Sequence, residues 1–526
     1  MLAVVPSATL HGLDGRSIRV EVDVAPGLPG FTVVGLGDTA VQEARERVRG
    51  AIRNAGFAFP PRRLTVNLAP AELRKTGASL DLAIAIGILL GSEQVRAGPL
   101  PIAFLGELGL DGEVRPVPGI LPMVAALAAR SIGKVVVAPS AVDEGRLVDG
   151  IDVVGATSLA DAAELVRGRR PRRAPVAMPR VTITGPTGVD ADLGPARPTP
   201  ILPVPSVPDL AEVRGQVEAR RGLEIALAGG HGLLLTGPPG VGKTLLARTI
   251  PGLLPPLDDA AALSVSIVAS AAGEGPITSL RRQPPFRTPH HTLSYAAMVG
   301  GGQALSPGEI TRAHHGVLFL DELAEFDRDV LEALRQPLEE GRILIARAGR
   351  VMTFPARFQL VAAMNPCPCG FAGSLPEDRC RCTIGEIDRY ARRVSGPLRD
   401  RLDLWVSMPR MPAATLVGMS EPEDSGTVAG RIAAARAWAA LDRGRSNGRL
   451  RGPLLRRACR MSETTTRRVA ELADAESASG RGTERLMRVA RTIADMAGSP
   501  TVEIAHLDEA AWYRTPVIRP VGALAS

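Results

Sequence analysis

Leu233-Leu234-Leu235-Thr236-Gly237-Pro238-Pro239-Gly240-Val241-Gly242-Lys243-Thr244 reads as a buried strand, a G-x-x-x-x-G-K-T turn and the start of a helix continuing through Leu245, Leu246 and Ala247. Each part answers to the chemistry of phosphate. Glycines let the backbone curl until its N–H groups converge on oxygens, and the helix N-terminus adds partial positive charge. Lys243 is placed to reach the β- and γ-phosphates, and the Thr244 hydroxyl to ligate Mg2+. Of 62 basic residues only Lys75, Lys134 and Lys243 are lysines, and one of them stands where a flexible point charge is needed. Gly237 to Thr244 is therefore expected to bind a nucleoside triphosphate with Mg2+.

Two further apolar runs belong beside this loop. Val317-Leu318-Phe319-Leu320 reads as a central parallel strand that delivers Asp321 and Glu322 at its C-terminal end, where open α/β sheets bind ligands. Asp321 is expected to hold Mg2+ through water, and Glu322 to orient and polarise the attacking water. Phe358-Gln359-Leu360-Val361-Ala362-Ala363-Met364 is a third such strand, and Asn365 at its end is expected to sense the γ-phosphate. A helix over 328–340 precedes two β runs, Arg342–Arg347 and Arg350–Phe354, joined by Ala348-Gly349 as a hairpin. The pairs His290-His291 and His314-His315 are poor metal candidates, because adjacent residues on a strand point to opposite faces.

Cys367-Pro368-Cys369-Gly370 is followed by Cys380-Arg381-Cys382, so four of the five cysteines fall within sixteen residues. Four thiolates can close a tetrahedral Zn2+ site. The C-x-C spacing is tighter than the usual C-x-x-C, and structural zinc and reduced thiols both remain open. Ser395-Gly396-Pro397-Leu398-Arg399-Asp400-Arg401-Leu402 offers two arginine-finger candidates, Arg401 first and Arg399 second. A fixed guanidinium aimed at a neighbouring subunit's γ-phosphate would stabilise transition-state charge. Farther on, Arg481 or Arg488 is expected to fold over the nucleotide as a second sensor.

A chain of 526 residues holds two to four domains. Its net charge of +7 suits a polyanionic partner. The longest apolar run, around Leu80–Leu90, contains Asp81 and is too short to span a bilayer. The first residues lack the basic region of a signal peptide, so a cytoplasmic location without a membrane partner is expected. Residues 18–24 alternate strictly as a half-buried strand does. Phe31–Val34, Arg63–Leu68 and Val135–Ala138 are further strands, with helices at 41–52, 80–90, 121–129 and 158–166. Phe104–Leu108 and Glu113–Val117 flank Leu110-Asp111-Gly112 as a hairpin. Prolines recur from Pro171 to Pro208, forbid helix and mark a linker. Residues 426–526 are helical and carry 17 Arg against 10 Asp and Glu.

Lys75-Thr76-Gly77-Ala78-Ser79 and Leu105-Gly106-Glu107-Leu108-Gly109-Leu110-Asp111-Gly112-Glu113-Val114 resemble the Lon-protease C-terminal domain, which has a ribosomal-S5-like fold. Ser79 falls at the position of that family's nucleophile. The family's lysine should follow Pro118-Gly119, but Ile120-Leu121-Pro122-Met123 stands there. A serine without a base is a weak nucleophile, so a docking or assembly module for a protein partner is expected.

As a whole, these residues resemble the YifB/ComM family of magnesium-chelatase-like AAA+ ATPases. The likeness includes Phe286-Arg287-Thr288-Pro289-His290-His291-Thr292, Asn365-Pro366-Cys367-Pro368-Cys369 and Ala490-Arg491-Thr492-Ile493-Ala494-Asp495. It implies an α/β fold: a P-loop AAA+ core over 209–411 with a four-cysteine insertion at 367–382. A helical C-terminal lid over 412–526 would follow. A Lon-like α+β domain over 1–168 and the linker over 169–208 would precede the core. The resemblance also implies adenine contacts at Val213–Gln216, a homo-hexameric ring, and DNA branch migration in natural transformation. In such rings the hairpin before the sensor strand faces the pore, which makes Arg342, Arg347 and Arg350 the expected contacts to single-stranded or branched DNA. A motor for metal insertion into a tetrapyrrole and a protein-remodelling ATPase are the competing readings, because motifs establish a motor and not its track.

Overall fold

The computed structural model describes residues 1–35, 39–71, 73, 75, 78–96, 98, 101–169, 207–275, 277–301, 306–347, 350–373, 379–412, 422–475 and 479–514. Nearly all of the Pro-rich stretch and the Ala348-Gly349 turn lie outside the described residues.

Near the N-terminus, β1 (Leu2–His11), β2 (Asp14–Ala25), β3 (Gly30–Val34) and β4 (Arg63–Ala69) form one sheet in the order β1-β2-β4-β3. The alternation in β2 buries Ile18, Val20, Val22 and Val24 against helix Asp81–Gly91. Every residue of that helix except Leu90 is buried, because the sheet covers one side and helices Thr39–Asn54 and Leu159–Val166 the other. Burial pushes the Asp81 carboxyl up to about 6, although Arg47 Nε donates to it at 2.7 Å.

The hairpin expected across Phe104–Leu108 is shorter than its sequence suggests. β5 (Ile102–Phe104) leaves for a parallel trio, while β6 (Glu107–Leu108) and β7 (Val114–Arg115) pair over two residues each. The cause is Gly106. Its N–H donates to the Ser79 carbonyl at 3.1 Å and its carbonyl accepts from Leu82 at 3.2 Å, which ties the backbone to the neighbouring helix. β8 (Lys134–Val137) and β9 (Asp152–Gly155) complete the trio in the order β5-β8-β9.

In the core, β10 (Leu233–Thr236) precedes β11 (Phe286–Arg287) and the small pair β12 (Gly300–Gly301) and β13 (Ser306–Pro307). β14 (Val317–Leu320), the hairpin β15 (Arg342–Arg347) and β16 (Arg350–Pro355), β17 (Gln359–Met364) and β18 (Leu404–Ser407) follow. The main sheet runs β11-β14-β17-β10-β18 with every pair parallel. All residues of β10, β14 and β17 are buried, as a sheet covered on both faces demands.

The helix expected over 328–340 is two, Arg328–Glu332 and Arg335–Glu340. Pro337 has no N–H to return to the Ala333 carbonyl, so the ladder is interrupted there. In the β15–β16 hairpin, Ile343, Ile345, Met352 and Phe354 face the core, while Leu344 and Val351 are exposed at 44% and 70%.

Helices Ser425–Arg443, Gly452–Cys459, Glu463–Ala475, Gly480–Met496 and Ile504–Trp512 close the C-terminal part. Leu486, Val489, Ala490 and Ile493 join them to the same apolar cluster as β10 and helix Val217–Gly229. The N-terminal part meets the core along helix Asp259–Ala271. There Gly119 N–H donates to the Ser270 carbonyl at 2.8 Å, and the Ser270 hydroxyl bonds Glu144. It also meets the hairpin, since Leu13 packs on the cluster containing Ile343, Ile345, Met352 and Phe354. No helix among the described residues is long and apolar enough to cross a membrane.

Candidate nucleotide site

β10 ends at Thr236, and the loop that follows reaches helix Lys243–Arg248 through Gly240 at φ 80° and Gly242 at φ 94°. Both lie in the left-handed region that glycine enters without a Cβ penalty. Lys243 is buried, and its ammonium donates to the carbonyls of Gly237 (2.6 Å) and Pro238 (2.9 Å) and to Asn365 Oδ1 (3.0 Å). Burial lowers its pKa, and the Asp321 and Glu322 carboxylates oppose that shift.

The parallel register explains the convergence. Leu320 lies opposite Ala362, and Thr236 opposite Met364, so Gly237, Asp321 and Asn365 leave the same edge of the sheet. Thr244 Oγ1 donates to Asp321 Oδ2 at 2.6 Å, while Asp321 Oδ1 accepts from Glu322 N–H at 2.9 Å. These are hard oxygen donors, and they fit Mg2+.

Glu322 turns off the strand at φ 52°, a conformation costing about 1–3 kcal/mol in a residue with a Cβ. Its half-exposed carboxylate has Oε2 3.2 Å from His291 Nδ1. In the sequence His291 stands as a poor metal candidate and as part of the family likeness, with no partner for Glu322 in view. Its signal was positional, because β11 is parallel to β14 and the chain leaving it arrives at the edge that carries Glu322.

The four cysteines do come together. Cys367 Sγ lies 3.3 Å from Cys369 Sγ and 3.8 Å from Cys380 Sγ, Cys369 and Cys380 are 3.7 Å apart, and all four sulfurs lie within 4.8 Å of one another. Tetrahedral Zn2+ with bonds of about 2.3 Å needs sulfurs about 3.8 Å apart, so the donor set and its geometry fit. These separations far exceed the ~2.05 Å of a disulfide. Burial works against the Cys369 thiolate, but hydrogen bonds from the backbone N–H groups of Phe371 and Arg381 and from Cys367 and Cys382 together outweigh it and hold the thiol at about 6.

The candidate arginines lie at the opposite edge of the sheet. β18 begins at Leu404 opposite Leu233, and Asp403 and Leu404 N–H both donate to the Gly232 carbonyl. Arg401 therefore sits where the strands begin, about 13 Å of strand from where Gly237 leaves. Its guanidinium pairs with Glu339, and burial together with the charges of Arg481, Arg335 and Arg485 lowers its pKa. Arg399 lies over the Trp405 ring at 5.0 Å.

For Arg488 the expectation of a nucleotide contact gives way to a structural one. It is buried, with Nη2 2.9 Å from Asp403 Oδ1 at that same strand-start edge. Burial would raise the Asp403 carboxyl, but Arg488 and the His231 hydrogen bond hold it well below the usual carboxylate range. Arg481 starts the same helix, and its charge acts on Arg401. Arg342 is exposed and pairs with Glu340 at 3.1 Å, while the side chains of Arg347 and Arg350 lie outside the described residues. In the N-terminal part, the buried Ser79 hydroxyl donates to the Ala8 carbonyl at 3.2 Å, and Lys75 to the Pro70 carbonyl.

The family description "Magnesium chelatase, subunit ChlI" matches residues 209–416, "Subunit ChlI of Mg-chelatase" residues 20–141, and "Magnesium chelatase, subunit ChlI C-terminal" residues 422–514. An uncharacterized protein of Mycobacterium tuberculosis is 43% identical over 97% of both chains. The uncharacterized protein YifB of Escherichia coli is 41% identical over 98% of this chain and 97% of its own. Competence protein ComM of Haemophilus influenzae is 39% identical over 98% of both.

Proposed function

This chain belongs to the YifB/ComM family of magnesium-chelatase-like proteins, an AAA+-like ATPase family, and from that premise we propose that it is a hexameric ATP-driven motor on DNA, a branch-migration helicase. One observation carries the reading: Asn365, which binds Lys243 at 3.0 Å, ends the strand that the arginine-bearing hairpin feeds directly. Phosphate oxygens entering the loop compete for the Lys243 ammonium and release Asn365. The strand end then shifts with nucleotide state, and the hairpin shifts with it.

Mg2+, when bound, neutralises the phosphate oxygens, and Thr244 and Asp321 are the residues that hold it. Glu322 accepts the proton of the attacking water, with His291 fixing the carboxylate. Arg401 lies too far from its own loop to assist and instead completes the site of the adjoining subunit, with Arg481 beside it. Arg342, Arg347 and Arg350 grip phosphates without reading bases, as a motor that passes any sequence requires. The four cysteines hold zinc. The N-terminal part, a Lon-like module whose Ser79 hydroxyl is buried, docks a protein partner. One relative is named for competence, which fits a role with incoming DNA in natural transformation.

The family descriptions keep a chelatase-type motor for tetrapyrrole metal insertion in view as the second reading. ATP turnover with and without single-stranded and branched DNA separates the two. Stimulation by DNA is expected; turnover indifferent to DNA and no unwinding would overturn the DNA reading.

A further inference from the structure

The four-cysteine cluster is built into the nucleotide site, and its position suggests what it does there. Gly370 follows Cys369 in a turn closed by its N–H donating to the Cys367 carbonyl at 3.0 Å. It is buried at φ 87°, and a Cβ on it would stand 2.8 Å from Pro239 Cδ and 3.8 Å from Asn365 Cγ. The first pair of thiols thus rests against the phosphate loop and the residue that holds Lys243.

The second pair runs the other way. Cys382 precedes Thr383, which caps helix Ile384–Ala391 in a reciprocal arrangement with Glu386. That helix buries Tyr390, and just beyond it Arg393 donates to the Ala324 carbonyl at 3.1 Å and to Glu325 at 3.0 Å. Ala324 and Glu325 lie two and three residues after Glu322. One arm of the cluster is therefore fixed to the loop that receives phosphate, and the other to the segment that carries the carboxylate for water.

We infer that a soft divalent metal bound by Cys367, Cys369, Cys380 and Cys382 acts as a strut that sets the phosphate loop for nucleotide, so that metal occupancy governs nucleotide affinity. With the metal in place, four bonds lock the Gly370 turn against Pro239. Without it, that turn is held only by its own hydrogen bonds, and Pro239 and Asn365 lose a fixed wall. The inference rests on reading Gly237–Lys243 as the nucleotide site.

The test uses the full-length protein with Zn2+ as the metal probe and a non-hydrolysable ATP analogue at constant Mg2+. Elemental analysis should find about one zinc per chain, as a four-thiolate site holds. Removing it with a thiol-metal chelator under reducing conditions should weaken analogue binding at least fivefold, and one equivalent of Zn2+ should restore it. Gly370→Ala keeps all four thiols, so its zinc content should match the wild type while its affinity falls. Gly373→Ala is the control, because Gly373 also has positive φ (70°) but nothing within 4 Å of its Cβ position, and its affinity should be unchanged.

Equal affinity in zinc-loaded and zinc-free protein would overturn the strut, as would wild-type affinity in zinc-loaded Gly370→Ala. A chain that binds nucleotide but takes up no zinc when freshly reduced would overturn it too. A chain that binds zinc but no nucleotide would instead remove the nucleotide-site reading.

Discussion

Lys243→Ala and Glu322→Gln alter groups on the same edge of one sheet, yet they should fail in different ways. The Lys243 ammonium is buried and makes three hydrogen bonds, at 2.6, 2.9 and 3.0 Å, with which phosphate must compete. A hydrogen bond to a charged group contributes about 1.5–3 kcal/mol, so two phosphate contacts are worth roughly 3–6 kcal/mol. The ammonium gives up good partners to make them, which favours the lower end, roughly 3 kcal/mol or about 150-fold in affinity. Glu322 pairs with His291 at the rim of the site, and its carboxylate is half exposed. Glu322→Gln should hold nucleotide within about threefold of wild type, while hydrolysis falls by about 10²–10⁴, the range for losing a general base. Fluorescent-nucleotide titration and steady-state phosphate release measure the two quantities. Thermal unfolding of each variant shows that the fold survives. Equal nucleotide affinity in the two variants, or wild-type turnover in Glu322→Gln, would refute the assignment.

Arg401→Ala subunits should bind ATP normally and fail to hydrolyse it. Mixing them with Lys243→Ala subunits should restore part of the turnover, and full activity in a dilute monomer would contradict the ring. Replacing Arg347 and Arg350 together with Ala should leave basal ATPase intact and abolish DNA stimulation. The slope of log affinity against log salt should then flatten by roughly 0.7 per lost contact on single strands, and an unchanged slope would mark the hairpin as ordinary surface. Burial, aided by the charges of His315, Arg357 and Arg449, holds His314 at about 3 against 6.5 when unfolded, and its Nδ1 accepts from Arg357 N–H at 2.9 Å. The unfolded chain therefore binds a proton the fold refuses. Stability should be full above pH 6.5 and fall by roughly 1.4 kcal/mol per unit as pH drops toward 3. In urea titrations at pH 7 and pH 5, His314→Gln should remove that component.

What the chain shows of itself depends on how local the signal is. β10, β14 and β17 are short apolar runs ending in Thr236-Gly237, Asp321 and Asn365, so their type, though not their order in the sheet, was readable from one strand at a time. β1 was not, because it buries Ser7 and Thr9 among its apolar residues, and Ser7 Oγ donates to the Phe104 carbonyl 97 residues away. The partners of Arg488 and Glu322 were hidden for the same reason. Asp403 and His291 lie far off in sequence and meet them only through strand register. Gly106 belongs to the Lon-like motif but gives no strand-end signal, yet its two backbone bonds decide where a hairpin ends. The four cysteines were legible as a group, but their seat on Pro239 needed the fold.

On the proposed function, ATP turnover at Lys243, Asp321 and Glu322 drives this chain along DNA. It is tested most directly by mixing wild-type or Glu322→Gln protein with a labelled four-way DNA junction, ATP and Mg2+, and following strand displacement on a gel. Wild-type protein should convert the junction into duplexes only when ATP is hydrolysed, and Glu322→Gln should bind both ligands yet leave it intact. Wild-type protein that consumes ATP at the same rate with or without the junction, and never resolves it, would rule out a DNA motor.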